Sequence, residues 1–122
     1  MGWKEAYSFG QEAVLVTSSM SGDPHAIYVI CKGIETGDKQ ILLSVCQMNK
    51  SLTNLKENTK LCLVTKDDSG YYRIKGTGTL YSSGRYFDLA VERNTKGTPT
   101  PNFALVIDIE SIHDVDKVRR IL

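Results

Sequence analysis

A chain of 122 residues is long enough for one domain and too short for two ordinary ones, so residues 1–122 are taken as a single domain. Its hydrophobic share of 41% and charged share of 24% are those of a water-soluble globular protein. Fifteen basic and 14 acidic side chains leave a formal charge of +1, which removes any general electrostatic case for nucleic acid or an anionic membrane. The longest apolar runs, such as Phe103–Ile107, cannot span a bilayer, and MGWKEAYSFG lacks the apolar core of a secretory leader, so the expected compartment is the cytoplasm.

Taken in chain order, Trp3–Phe9 fits a short helix. Ala13–Thr17, rich in β-branched residues, reads as a strand, and Ser21-Gly22-Asp23-Pro24 as a turn leading into a second strand, His25–Gly33. Gln40–Val45 is the third strand and Ser51–Glu57 a short helix, with Leu52 and Leu55 on one face. Lys60–Thr65 and Tyr71–Tyr81 are the fourth and fifth strands. Tyr72, Ile74, Gly76, Gly78 and Leu80 share one face of the fifth, and its two interior glycines imply either a bend or a close neighbour. Arg85–Arg93 fits a helix, Asn94–Asn102 a loop and Phe103–Ile109 the last strand. The charged tail from Asp114 has the spacing of an amphipathic turn.

Six strands with short connections and one or two small helices predict a mainly β fold, an antiparallel barrel whose closure leaves no edges to protect. No G-x-G-x-x-G and no P-loop is present. Cys31, Cys46 and Cys62 form no C-x-x-C pair and read as reduced, buried small hydrophobes. With only His25 and His113 beside them, no metal ligand set is evident, and no Ser-His-Asp or Cys-His arrangement can be argued.

The most informative stretch is QILLSVCQMNKSLTNLKEN, residues 40–58. A strand ends there and delivers Asn49, Lys50 and Ser51 to the first turn of a helix. Backbone N–H groups at a helix start are unpaired and carry partial positive charge, so this corner suits a phosphate. Lys50 alone would oppose the helix dipole, which favours an anion beside it. Ser51 fits equally as an N-cap.

These segments resemble the FMN-binding split-barrel family, the pyridoxamine 5′-phosphate oxidase-like group, and most resemble its small FMN-binding proteins. The likeness runs from about Glu12 to Ile112. It rests on Gly22-Asp23-Pro24-His25, on Met48-x-Lys50-Ser51 followed by Asn54-Leu55, on Tyr72-x-Ile74-x-Gly76, and on the closing strand Ala104–Ile107. It implies a six-stranded antiparallel split barrel of Greek-key order and a homodimer with FMN at the subunit interface. By position it implies phosphate contacts at Asn49, Lys50 and Ser51. It also implies ring or ribityl contacts along Tyr28, Val29 and Ile30, and a flavin edge facing Ser44, Val45 and Cys46. Many members have two adjacent basic residues where this chain has Lys50 then Ser51, so Lys56, Arg85 or the partner would have to add charge. The substrate segments of true pyridoxamine phosphate oxidases are not evident. The implied activity is electron or hydride transfer through FMN to a small-molecule substrate or redox partner. An electron carrier without its own substrate, and a haem- or deazaflavin-binding barrel of the same fold, are the alternatives, and an oligonucleotide-binding barrel lacks its basic groove.

Overall fold

The computed structural model describes residues 3–35, 39–45, 50–68, 70–93, 101–115 and 119–121. The sheet follows from alternation along each strand. β1 (Glu12–Ser18) sends Ala13, Leu15 and Thr17 inward and leaves Val14 and Val16 half-exposed. β4 (Lys60–Asp67) repeats this pattern, with Leu61, Leu63 and Thr65 buried and Cys62 and Val64 half-exposed. β2 (Pro24–Glu35), β3 (Gln40–Val45), β5 (Gly70–Tyr81) and β6 (Phe103–Asp114) complete a closed antiparallel barrel in the order β3-β2-β1-β4-β5-β6, with β6 pairing back onto β3. The first three strands follow one another and the fourth returns beside the first, which is the predicted Greek key.

Closing the barrel buries one core built from the inward faces, including Leu15, Ile41, Leu43, Leu63, Ile74, Leu105 and Ile107. Among the described residues three short helices surround it, where one or two were expected. α1 (Trp3–Ala6) packs against β4 and α2 (Lys50–Glu57) against β1 and β2. α3 (Arg85–Glu92) lies on β3 and β6, where Ala90 joins Leu42, Ala104 and Val106 in a second, outer cluster. The chain after α1 carries Tyr7 into the barrel. Its fully buried hydroxyl donates to a pair of carbonyls, 2.6 Å from that of Leu63 and 3.0 Å from that of Tyr72, and burial pushes the phenol far above its ordinary range. Tyr7→Phe leaves both carbonyls without this donor, so it is expected to cost about 1–3 kcal/mol in chemical denaturation.

The two strand glycines have separate reasons. At Gly76 the β5–β6 register shifts, and a Cβ there would run into the Asp108 carbonyl and the Ile107 side chain. At Gly78 a Cβ would press on Leu61 and Leu105, with Leu55 of α2 just beyond at 3.4 Å, so the missing side chain lets α2 settle onto the barrel end. The same bulge explains why β6 runs past its expected end at Ile109. Gly76 pairs with Ile109 and Lys75 with Ser111, so Glu110 is extra and the inward series changes phase to Ile112 and Asp114. The expected amphipathic tail is instead partly a strand, β7 (Arg119–Arg120), paired with His113 and Asp114.

Cys31 is buried, and burial pushes its thiol up to about 12, as expected of an inert core residue. Cys62, by contrast, is half-exposed on the outer face of β4. Among the described residues no helix is long and apolar enough to cross a membrane, and no three His, Cys, Asp or Glu side chains gather as a metal site.

Candidate functional site

β2 serves two neighbours in turn. Its first half, Pro24–Ile30, pairs with β1; its second half pairs with β3, beginning at Cys31↔Leu43. The changeover is a bulge at Lys32, next to Gly33, whose φ of +131° suits glycine. Lys32 is locked there from outside. Its Nζ donates to the Arg93 carbonyl at 3.3 Å, and Arg93 Nη1 donates back to the Lys32 carbonyl at 2.8 Å. Past this bulge Tyr28–Ile30 and Ser44–Val45 run on without being register partners. That is the split of the barrel, and α2 begins just beyond its β3 bank.

The structure gives the expected contact residues different placements. Tyr28 is 81% exposed and Ile30 44%, both on the outer face; Val29 between them points into the core, so only its backbone can meet a ligand. Val45 is likewise buried, whereas Ser44 lies on the other side of β3 and its shielded Oγ has no hydrogen-bond partner among the described residues. Cys46 and Asn49 lie outside the described residues. Lys50 opens α2, whose first turn contains no acidic residue. Its half-exposed ammonium stands 3.9 Å from the exposed Asp23 carboxylate of the β1–β2 turn, a loose surface pair of small worth.

Ser51 is the second helical residue, so it is not the cap its sequence position suggested. It is 1% exposed and its Oγ has no partner among the described residues. Asn54, one turn on and fully buried, donates from Nδ2 to Thr17 Oγ1 at 3.2 Å, while its Oδ1 has no partner among the described residues. The Ser51 hydroxyl can donate to an anion at this helix start, beside the Lys50 ammonium, whereas Asn54 Oδ1 only accepts and suits a buried water.

The sequence reading missed the outer face of β2-β1-β4. Register places Tyr28 beside Val14 and Val14 beside Val64, with Ala26, Val16 and Cys62 in the next row. Two shallow grooves lie on this face. One, of about 390 Å³, runs from Thr17 and Pro24 past Cys62 to Lys75 and Glu110. The other, of about 550 Å³, lies among Val14, Tyr28, Val64 and Tyr71, where Lys66 sits 5.8 Å over the Tyr71 ring. The signal was present in EAVLVTS. Its outward positions, Val14 and Val16, are as apolar as its inward ones, and a strand apolar on both faces implies that both are covered.

This strand order, with a divided β2 and a helix leading from β3 back to β4, is that of the split-barrel fold. Within it, the chain belongs to the same family as an uncharacterized protein of Methanocaldococcus jannaschii, 31% identical over 105 residues that cover 83% of this chain and 70% of that one. No family model matches the chain. Among solved structures, HupZ of Group A Streptococcus superposes with a TM-score of 0.82 at 19% identity, over 92% of this chain and 90% of that one. An FMN-binding protein of Syntrophomonas wolfei gives 0.72 at 21%, over 88% and 78%. An F420 reductase gives 0.71 at 13%, over 93% and 98%.

Proposed function

We propose that this chain is an FMN-binding oxidoreductase that works as a homodimer, with the flavin lying in the split between β2 and β3. The observation that carries the reading is the α2 corner: a lysine at a helix start without acidic neighbours in the first turn, beside a buried Ser51 hydroxyl that has no partner among the described residues. In this reading Asn49, Lys50 and Ser51 hold the phosphate. Tyr28 and Ile30 offer side chains, Val29 and Val45 backbone groups, and Ser44 and Cys46 the opposite bank. The outer face of β2-β1-β4 meets a second copy, which closes the ring site from outside. When bound, the flavin supplies reversible electron or hydride transfer, and the chain's own residues hold it, exclude water from one side and leave the other open to a small substrate or redox partner. A cytoplasmic setting belongs to the same proposal.

The fold relation to an F420 reductase supports a second reading, in which the ligand is a deazaflavin. Competition between FMN and F420 for the purified apoprotein separates the two.

Lys50→Ala is expected to weaken FMN binding about tenfold or more, as loss of a charge-assisted phosphate contact would, with little change in the denaturation midpoint because its ammonium is half-exposed. Asp23→Ala removes the carboxylate that competes for Lys50 and is expected to tighten binding about two- to fivefold. Titration of apoprotein into FMN, followed by flavin fluorescence, measures both. Equal loss of binding and of folding in Lys50→Ala would make this lysine structural.

A further inference from the structure

Register brings cations together on the outer face of β5-β6-β7. Arg73 of β5 is paired with His113 of β6, and His113 with Arg120 of β7. Lys75, two residues along β5 from Arg73, is paired with Ser111 and shares this outer face. The charges acting most strongly on His113 are those of Arg73, Arg120 and Lys75, all positive. Arg73 Nε and His113 Nδ1 are shielded from water, and neither has a hydrogen-bond partner among the described residues. Folding has therefore gathered like charges on adjacent strands and left Arg73 Nε and His113 Nδ1 without a partner among the described residues. That arrangement costs free energy unless an anion occupies it.

We propose that Arg73, His113 and Arg120, with Lys75 beside them, bind the phosphate group of a small-molecule ligand on the outer face of β5-β6-β7. The Arg73 guanidinium and the His113 imidazole offer N–H donors in several directions, with Arg120 and Lys75 adding positive charge, which suits the oxygens of a phosphate better than the two of a carboxylate. The cluster is local in a chain of net charge +1, which favours a small molecule over a nucleic acid backbone. The site uses the outward residues of β5, β6 and β7, whereas α2 packs mainly against β1 and β2, and it does not rest on the flavin reading.

His113 reports on the site. Shielding from water first, then the charges of Arg73, Arg120 and Lys75, hold its imidazolium below the ordinary range, and a bound dianion would reverse this. The experiment is an NMR pH titration of the full chain, with His113→Gln identifying the resonance against that of His25. Saturating inorganic phosphate is expected to raise the His113 midpoint by about one pH unit relative to chloride of the same ionic strength. Arg73→Gln is expected to raise the midpoint in chloride and to remove most of the phosphate response, whereas Lys50→Ala leaves that response intact. No shift beyond that in chloride, or an equal shift with acetate, overturns the proposal. Should Arg73→Gln fail to fold, the wild-type titration decides alone.

Discussion

Val14→Asp is expected to convert the protein to a monomer and to lower its flavin affinity at least about a hundredfold while leaving the barrel folded. Val14 is half-exposed on the outer face of β1, with Tyr28 on one side and Val64 on the other. In a single barrel an aspartate there reaches water, so the fold tolerates it. In a dimer joined through this face the same carboxylate would be buried among valines and tyrosine without a partner, at a cost of several kcal/mol. Flavin binding falls with it, because the proposed ring site is closed by the second copy. Sedimentation velocity and FMN titration of the variant check both parts. A dimeric Val14→Asp protein with normal affinity would place the interface elsewhere.

Gly76→Ala is expected to destabilise the fold by about 3 kcal/mol or more, a large share of the roughly 5–15 kcal/mol that holds a domain together. The added methyl meets the Asp108 carbonyl, which is part of the β5–β6 bulge and has no side-chain rotation with which to move aside. Gly78→Ala is the control. Its methyl meets the ends of Leu61 and Leu105, which can turn, so a loss of about 1–2 kcal/mol is expected. Chemical denaturation of the pair tests the distinction, and equal losses would show that the bulge is softer than its geometry implies.

Much of the architecture was legible because alternation in a small barrel is strict. The five β-strands up to Tyr81 could be placed from patterns such as Leu61, Leu63 and Val64, and of the two readings of the glycines at 76 and 78, a bend or a close neighbour, the close neighbour holds at both. The end of β6 was not legible, because the extra residue at Glu110 breaks the phase between Ile109 and Ile112 and makes a continuous strand look finished. The helix start was read almost to the residue, yet Ser51 lies within α2 and not at its cap, a difference of one position that decides what its hydroxyl can do. Within the candidate site, Tyr28, Val29 and Ile30 were singled out together, although a strand turns alternate residues to opposite sides and only Tyr28 and Ile30 present side chains outward. The cationic row was beyond reach. Arg73, His113 and Arg120 are distant in sequence, and only the register of three strands, one of them two residues long, brings them together.

The central claim is that the α2 corner and the split beside it hold a flavin phosphate ester. The most direct measurement is the visible absorption spectrum of the protein as purified and after addition of FMN, with mass spectrometry of any ligand released on denaturation. The account predicts a yellow protein that releases FMN, or a colourless one that takes up added FMN stoichiometrically through Lys50. A colourless protein that leaves added FMN free in solution would contradict it, and a Soret band from bound haem would assign the barrel to a different ligand.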